Sequence, residues 1–384
     1  MPVEVAPAPA ATTTMEITVS KVELLRELTA TQGVVERKTT IPILSNYLLE
    51  ASADKLSLTA TDLDLSLRTS CSAKVKKEGA CTIPARKLYD YVRLLPDADI
   101  TIKLLENHWV SIRCGRSNTK MVGMARSNFP GLPVFPSAGA IKIPAAVLRS
   151  MIAKTGFAIA NEESRYTLNG ALMVLKPESI TMVATDGHRL AHIERTGEKF
   201  DGVSGEMKTL VPKKAMDELK SLLDAEIEFI EFAKDESTLF FRVGPRLLTS
   251  RQLTGQFPNY EAVLPKDITK SIVVHGDELG GAISRVAQFA DERSRAVRLR
   301  LEKGELKLSA SSTETGESED SLEVDYNGDA MAIGFNAQYL LDFIKAVGPG
   351  EVKLEMKDAQ SAGQLRPAES EDYKYRYIVM PMRI

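Results

Sequence analysis

Short runs of alternating apolar and polar residues recur along the chain. Ile100–Leu104 and Val297–Leu301 have an apolar side chain at every second position, which is the pattern of a half-buried β-strand. Leu24, Leu25 and Leu28 instead form an apolar stripe with the spacing of one α-helix face. Each third of the chain contains about eight such strands and two helices. This pattern predicts an α+β fold in which helices pack on antiparallel sheets.

These elements repeat three times at a nearly constant spacing. The dipeptide Phe129–Pro130 recurs as Phe257–Pro258, about 128 residues later. The dipeptide Thr61–Asp62, which follows a strand-like run, recurs as Thr185–Asp186 about 124 residues later. A strand over Leu306–Ala310 occupies the matching place in the third copy. Several matches in the same order indicate three copies of one unit rather than three unrelated domains.

Proline-containing linkers, such as Pro130–Pro136, separate the copies. We therefore predict three domains, over residues 15–138, 139–265 and 266–384. Residues 1–14 are mainly Pro, Ala and Thr, which bury too little apolar surface to order a chain. For this segment we predict a disordered N-terminal extension. It has no Lys or Arg and no long apolar run, so we do not expect it to be a signal peptide.

Composition narrows the class of protein. Of the 384 residues, 43% are hydrophobic and 26% are charged, which is typical of a globular protein. No apolar run approaches the roughly 20 residues that span a bilayer, so we predict no membrane segment. The net charge of −3 excludes a uniformly basic DNA-coating protein but leaves room for a basic patch. Cys71, Cys81 and Cys114 form no C-x-x-C pair, so we expect reduced, inert thiols in a cytoplasmic protein.

Five stretches carry a resemblance to a known family. They are Pro84–Lys87, Arg165–Gly170, Ala184–Ala191, Phe257–Tyr260 and Val379–Ile384. In this order and within a triple repeat, they make the chain resemble the bacterial DNA polymerase III beta-subunit family of sliding clamps. The resemblance extends over nearly the whole chain.

The resemblance implies a DNA replication protein, a processivity factor without catalytic activity, cofactor or metal. It implies a head-to-tail homodimer that closes into a ring of six similar domains, each with two helices packed on antiparallel sheets. The helices would line a hole that holds duplex DNA without reading its sequence. A clamp loader would open the ring. The replicative DNA polymerase, the loader and repair polymerases would bind through short linear motifs.

A ring that encircles DNA needs only weak phosphate contacts, because each contact also adds friction against sliding. The six helix-like segments carry a net charge of about +3, which leaves about −6 for the rest of the chain. The helix-borne candidates for phosphate contact are Arg86, Lys87, Arg149, Lys154, Lys213 and Lys214. The resemblance adds Arg37, Lys38 and Tyr166. Taken singly, each lysine is better explained as a solvated surface residue, and only the set as a whole favours phosphate contact.

The resemblance also implies an apolar groove for partner peptides. Its residues are Leu168, Thr185, Gly187, His188, Arg189, Leu190, Pro258, Val263, Asn336, Tyr339, Met380, Pro381, Met382 and Arg383. A Met-rich, Pro-lined surface suits adaptable peptide capture. Without the resemblance, Met380–Met382 would be interpreted as a docked terminal strand that fills a gap in the core.

A dimer interface is implied between the first domain of one chain and the third domain of the other. The matching positions are Thr119 and Met121 on one side and Gln288 and Phe289 on the other. Such a heterologous contact closes into a ring only if the rotation between subunits fits. An alternative role for Phe289 is that of a core residue within its own domain.

One residue pattern is compatible with a metal-dependent enzyme. His188 and His192 form an H-x-x-x-H pair that binds zinc when it lies on a helix. However, Val183–Ile193 alternates like a strand after a glycine turn, and no P-loop or nucleophile motif is present, so we predict no enzyme. Two alternatives remain: a peptide-binding repeat scaffold that never encircles DNA, and a duplicate clamp that confers antibiotic resistance.

Overall fold

The structure, a computed structural model, describes residues 14–36, 39–137, 139–162, 164–197, 199–370 and 372–383. The predicted DNA contacts Arg37 and Lys38 lie outside the described residues, as does all of the predicted extension except Thr14. Within the described ranges, the chain forms 25 strands and six α-helices, ordered as three repeats.

The first repeat places two helices among strands that form antiparallel sheets. Its elements are β1 (Glu16–Ser20), α1 (Lys21–Ala30), β2 (Asn46–Ser52), β3 (Lys55–Thr61), β4 (Leu65–Ser72), β5 (Lys74–Lys77), β6 (Gly79–Pro84), α2 (Ala85–Leu94), β7 (Asp99–Leu104), β8 (Trp109–Cys114) and β9 (Ser117–Val122).

The second repeat follows the same order without an equivalent of β5. Its elements are β10 (Ile141–Pro144), α3 (Ala145–Thr155), β11 (Gly170–Lys176), β12 (Ser179–Thr185), β13 (Arg189–Thr196), β14 (Met207–Pro212), α4 (Lys213–Leu222), β15 (Phe229–Lys234), β16 (Thr238–Val243) and β17 (Arg246–Arg251).

The third repeat has the same element order as the second, which confirms the predicted threefold repeat and the α+β fold. Its elements are β18 (Lys270–His275), α5 (Gly276–Val286), β19 (Ala296–Glu302), β20 (Glu305–Ser312), β21 (Gly316–Glu323), β22 (Met331–Asn336), α6 (Ala337–Val347), β23 (Glu351–Met356), β24 (Gly363–Pro367) and β25 (Lys374–Val379).

Two compact units contain these repeats. The first consists of the described residues up to Val147 together with Lys214–Gln252. Its two sheets have the strand orders β5-β1-β7-β8-β9 and β10-β15-β16-β17-β4-β3-β2-β6. The larger sheet crosses from the second repeat into the first where β17 pairs with β4, and Leu248 lies opposite Leu67 at this junction.

A buried ion pair reinforces that junction. Glu27 of α1 is 1% exposed and receives hydrogen bonds from Arg246 of β17 at 3.0 and 3.1 Å and from the Thr69 hydroxyl at 2.6 Å. Burial by itself raises the pKa of Glu27, but these hydrogen bonds and that from Arg26 outweigh burial and hold the pKa below its ordinary value. The carboxylate therefore remains charged inside the protein.

The second unit consists of Leu148–Lys213 together with the described residues from Leu253 onward. Its sheets have the strand orders β14-β11-β12-β13-β25-β24-β23-β18 and β21-β20-β19-β22. Here β13 of the second repeat pairs with β25 of the third, and Ala191 lies opposite Tyr377. Helix α6 begins at a cap made by Asn336, whose side chain accepts from the backbone N–H of Gln338 and Tyr339.

Apolar side chains from strands and helices form the interior of each unit. In α2 the buried residues Ala85, Leu88 and Val92 occur at helical spacing, so one face of this helix packs inward. In the second unit Phe343 of α6 stacks on Tyr375 and Tyr377, with ring centroids 5.5 and 5.3 Å apart. Across the part of the chain that the structure describes, no helix is long and apolar enough to cross a membrane.

Candidate peptide-binding site

The hairpin turn between β12 and β13 is the centre of the predicted groove. The Thr185 hydroxyl donates to the carbonyl of Arg189 at 2.6 Å and accepts from the N–H of Gly187 at 3.1 Å. The Asp186 carboxylate accepts from the N–H groups of His188 and Arg189 at 2.9 and 3.0 Å. Gly187 has a φ of 89°, a conformation that favours glycine. Local hydrogen bonds therefore fix the turn and leave the His188 side chain exposed.

The same turn also contains the first histidine of the H-x-x-x-H pair. His188 lies in the turn and His192 lies in β13, so the H-x-x-x-H pair is not on a helix. His192 is buried beside Tyr260, with ring centroids 5.6 Å apart, and burial lowers the pKa of its imidazole. Among the described residues, no group of three or more His, Cys, Asp or Glu side chains is arranged to hold a metal ion.

Arg189 connects the turn to the third repeat. Its guanidinium is 3.1 Å from the Asp186 carboxylate and also pairs with Asp342 of α6. It donates to the Phe157 carbonyl at 2.6 Å and to the Tyr377 hydroxyl at 3.4 Å. Burial lowers the pKa of Arg189, but Tyr377 and the two carboxylates outweigh burial and raise the pKa above its ordinary value. Arg189 is thus a permanent cation that holds several elements together.

Aromatic rings complete the environment of this cation. The Tyr339 ring lies 4.3 Å from the Arg189 guanidinium carbon and the Phe157 ring lies 5.4 Å from it. Both distances are within the range of a cation–π contact. The Arg189 side chain is only 11% exposed, so it positions the wall of the groove more than it presents a charge to a ligand.

An apolar cluster forms the floor beside the turn. Its buried members are Leu172, Val174, Val183, Leu190, Leu210, Phe257 and Ile378. Half-buried side chains pack over this cluster, namely Leu168, Leu253, Tyr260, Leu264 and Ala362. Of the predicted groove residues, Leu190 thus belongs to the floor and Leu168 to the layer above it. Pro258 and Val263 are exposed nearby in sequence, next to Phe257 and Leu264.

The C-terminal segment is tied to both sides of this site. The N–H of Met380 donates to the His188 carbonyl at 2.9 Å, and the N–H of Met382 donates to the Gly334 carbonyl at 2.8 Å. Main-chain bonds therefore hold the segment in place, while the Met380 side chain is 43% exposed. Pro381 is half-buried and Arg383 is exposed. The C-terminal segment is therefore docked on the fold, as expected for Met380–Met382 without the family resemblance. The exposed side chain of Met380 is still accessible to a ligand.

The predicted DNA contacts differ in how available their charges are. Arg86 and Lys87 are exposed in the first turn of α2, and Arg86 lies 3.8 Å from Asp90. Tyr166 is 52% exposed. The Lys154 ammonium is half-buried over the Tyr373 ring at 5.1 Å, and burial lowers its pKa.

Three further candidates already make polar contacts. Lys213 donates to the Asn161 side chain, and Lys214 pairs with Asp62. Arg149 is half-buried and also has an interaction partner.

The predicted interface residues lie on or beside sheet edges. Thr119 and Met121 are in β9, the last strand of the five-stranded sheet in the first unit. Gln288 and Phe289 lie in the short 3-10 turn Ala287–Phe289 that follows α5 and contacts β20 and β21. Phe289 is half-buried, so part of its ring is available to a partner.

Comparison with known proteins decides the family. Three domain families match in order: the N-terminal domain of the DNA polymerase III beta subunit over residues 15–133, its central domain over 142–259 and its C-terminal domain over 261–383. The chain belongs to the DNA polymerase III beta-subunit family.

Curated and solved members of the beta-subunit family match along their whole length. The beta sliding clamp of Proteus mirabilis is 37% identical over 374 residues, which cover 96% of this chain and 100% of that protein. The crystal structure of the DNA polymerase sliding clamp from Pseudomonas aeruginosa matches with a TM-score of 0.89 at 34% identity, covering 96% of this chain and 100% of that one. A sliding clamp from Bartonella birtlesii bound to griselimycin matches with a TM-score of 0.91 at 33% identity, covering 97% of this chain and all of that one.

These matches confirm the beta-subunit family, the fold of three clamp domains and the function of a bacterial DNA polymerase III processivity factor, all predicted from the sequence. The alternatives, a peptide-binding scaffold and a duplicate resistance clamp, are not favoured. The individual groove, DNA and interface residues stay predictions.

The structure adds residues that the sequence did not indicate. Asp342, Phe157 and Tyr377 surround Arg189 and position the groove wall, although Asp342 lies 153 residues further along the chain. Asn336, by contrast, was predicted as a groove residue, and the structure shows it as the cap of α6. No local pattern marks Asp342 or Tyr377.

Proposed function

We propose that this chain is a sliding clamp: two copies close a ring around duplex DNA and tether DNA polymerase III to its template. The supporting observation is a pair of open sheet edges at equivalent places in the repeat. Within the chain, β17 pairs with β4 at one junction and β25 pairs with β13 at the next. By the same pattern, the third junction would join β9 to β21. Both of these strands are edges of their sheets.

A second copy supplies the missing partner for each edge. One chain offers β9 from its first repeat, and the other offers β21 from its third. Two such heterologous contacts satisfy both open edges and leave a closed dimer. Closure also protects the unpaired backbone groups that an edge strand otherwise presents to other chains.

The register of the existing junctions predicts the register of the missing one. Thr249 of β17 lies opposite Ser66 of β4. The turn glycines Gly115 and Gly244 align β9 with β17, and this alignment places Lys120 at the position of Thr249.

The partner of Lys120 follows from the neighbouring strands. Ser66 pairs with Thr61 near the end of β3, and Glu317 pairs with Ser311 at the matching point of β20. Glu317 is therefore the equivalent of Ser66, and it would lie opposite Lys120 across the dimer.

The side chains on these two edges have complementary charge. Lys120 is exposed on β9, and Arg113 lies on the neighbouring strand β8. Glu317, Glu319 and Glu323 are exposed along β21. Opposite charges across paired strands are stabilising and suppress wrong partners. On the other face, Thr119 and Met121 would meet the side of β21 on which Gln288 and Phe289 pack.

DNA would be held by position rather than by affinity. Helices α2 and α3 each carry a net charge of +2, from Arg86, Lys87 and Arg93 against Asp90 in α2 and from Arg149 and Lys154 in α3. Side chains of this type contact phosphates without reading bases. The exposed residues Arg86 and Lys87 are the strongest candidates for phosphate contact, because Lys213 and Lys214 make close polar contacts while Arg86 has only a long, exposed contact with Asp90 at 3.8 Å.

Partner proteins would bind at the site around Arg189 and Met380. An exposed methionine, an exposed valine at Val263 and the apolar floor suit a short linear motif with apolar anchors. The replicative polymerase, the clamp loader and repair polymerases would share this site in the bacterial cytoplasm. The chain itself would catalyse no reaction, and the loader would supply ATP-dependent opening.

The test is a primer-extension assay on a long primed template with DNA polymerase III and its clamp loader. Addition of the chain is expected to lengthen products under single-encounter conditions. Val263→Asp, which places a charge in the apolar site, is expected to abolish that gain. Val273→Asp, an exposed valine of β18 outside the site, serves as the matched control. Short products with the unaltered chain would contradict the proposal.

A further inference from the structure

A groove in the first repeat lies outside the peptide site and the candidate DNA contacts, and it shares Lys120 with the proposed dimer interface. Its volume is about 1960 Å³. Pockets for small molecules are typically about 300–1,000 Å³, so this groove has room for a peptide-sized occupant. Strand β6, the turn between β7 and β8, and Thr14 all line it. Every lining residue belongs to the first unit.

One wall of the groove is a turn in an unusual backbone conformation. Asn107 and His108 both have positive φ, 54° and 62°, which is uncommon for residues other than glycine. The N–H of Gly123 donates to the His108 carbonyl at 2.9 Å. A side chain at Gly123 would meet the Thr82 carbonyl at 2.0 Å, so only glycine allows this close approach. The wall is therefore fixed by contacts with β6.

This wall presents an aromatic side chain to the groove. Trp109 is the single tryptophan of the sequence and is 43% exposed. Its cross-strand neighbour on β9, Val122, is exposed as well. A flat exposed indole suits contact with proline rings, as in modules that recognise extended proline-rich segments.

Strand β6 also lines the groove, and its edge is covered at Thr82 by Gly123 and Met124. Strand β6 ends the eight-stranded sheet and pairs with β2 on one side. An edge strand presents N–H and C=O groups to whatever lies beside it. Near this edge the buried Nε of Arg126 has no hydrogen-bond partner among the described residues, although its other nitrogen contacts Glu50 at 3.3 Å. The Arg126 Nε is thus an unused donor beside the groove.

The chain itself supplies a suitable occupant. Thr14 lines the groove and is the first residue that the structure describes, so the residues before it need no further linker to reach the groove. The extension contains Ala6-Pro7-Ala8-Pro9-Ala10. In a strand added to a sheet, successive N–H groups point alternately toward and away from the partner, so prolines are tolerated at outward positions. The alternation of Ala and Pro fits this requirement along β6.

The family comparison sets the extension apart from the repeats. Charge gives no preference, because Glu50, Glu78 and Glu106 balance Lys103, Lys120 and Arg126 in the lining of the groove. The family match begins at residue 15, so the extension lies outside the part that relatives share. We propose that residues 2–13 bind in cis in this groove, in extended conformation beside Gly79–Cys81 of β6 and with a proline ring against Trp109.

Trp109 fluorescence tests the proposal without an added label. In the full chain we expect blue-shifted emission and slow acrylamide quenching. Deletion of residues 2–13 is expected to shift the emission to the red and to raise the quenching constant at least twofold. A peptide of residues 1–14 added in trans should reverse both changes. Circular dichroism checks that the shortened chain keeps its fold.

A matched variant in the full chain separates groove binding from mere presence of the extension. Pro7→Ala with Ala10→Pro keeps the composition but makes the two prolines adjacent, which destroys the alternation. It lies outside the folded repeats and should behave like the deletion. Identical emission and quenching in all three proteins would overturn the proposal. Protection of Trp109 that survives the deletion and grows with protein concentration would also overturn it, because a second copy would then cover the groove. The proposal would also be overturned if an unrelated proline-free peptide restored the blue-shifted emission and slow quenching of Trp109 in the shortened chain.

Discussion

The Arg189 guanidinium pairs with the Asp342 carboxylate, which joins a hairpin turn of the second repeat to a helix of the third. The same guanidinium bonds Asp186 within the turn. Both carboxylates are largely withdrawn from solvent, with 22% and 16% of the side chains exposed. Arg189 is therefore a positioning residue for the peptide site, and its removal would leave two carboxylates without a counter-charge.

We expect Arg189→Met to lower the free energy of unfolding by about 3 kcal/mol, because breaking a buried ion pair leaves an uncompensated charge. Arg189→Lys should recover part of this loss, since it keeps the charge but cannot bond several partners in one plane. Urea unfolding measures the difference. The control is Arg251→Met, which removes an exposed pair with Asp64 and should change stability by less than about 1 kcal/mol. Equal effects of Arg189→Met and Arg251→Met would refute the positioning role.

Glu27 predicts a specific dependence on pH. Its pKa lies below the unfolded value of 4.5, so its contribution to stability is complete above that value and is lost as the pH falls through the folded pKa. Glu27→Gln should therefore destabilise the protein by about 3 kcal/mol at pH 7. The difference between the two proteins should shrink below about pH 4.5.

Urea midpoints of both proteins at several pH values measure this difference. Glu231→Gln is the comparison within the same unit, since its partner Arg242 is exposed. If Glu27→Gln lowers the free energy of unfolding by the same amount at pH 7 and at pH 4, the charge of Glu27 does not stabilise this junction.

The proposed pairing of Lys120 with Glu317 predicts a charge-swap result. Lys120→Glu alone would place like charges across the interface and is expected to raise the dimer dissociation constant about tenfold or more. Glu317→Lys alone should do the same. The double variant should recover most of the affinity, because the pair is restored in reverse. Sedimentation velocity over a range of concentrations measures all four proteins, and absence of recovery in the double variant would reject the register.

Local sequence patterns were sufficient to predict several helices, strands and turns of the fold. The predicted helical stripe from Leu24 to Leu28 lies within α1, and the strands predicted over Ile100–Leu104 and Val297–Leu301 lie within β7 and β19. Such agreement is expected because periodicity reports which face of an element is buried. The turn at Gly187 was likewise visible in the sequence.

Other features depend on long-range geometry that no local pattern encodes. The sequence indicates no partner for Lys214, whereas in the structure this residue forms an ion pair with Asp62. The pairing of Arg189 with Asp342 and the edge position of β9 arise in the same way, from how repeats meet in a sheet. Sequence similarity identified residues at these places but did not indicate what they contact.

Topological retention on DNA tests the central claim most directly. The chain is loaded onto nicked circular DNA by the clamp loader with ATP, the complex is isolated in high salt, and the DNA is then cut once. A closed ring is expected to remain on the circle despite screening of its phosphate contacts and to slide off after the cut. Release from intact circles in high salt, or retention on the linear product, would contradict the account.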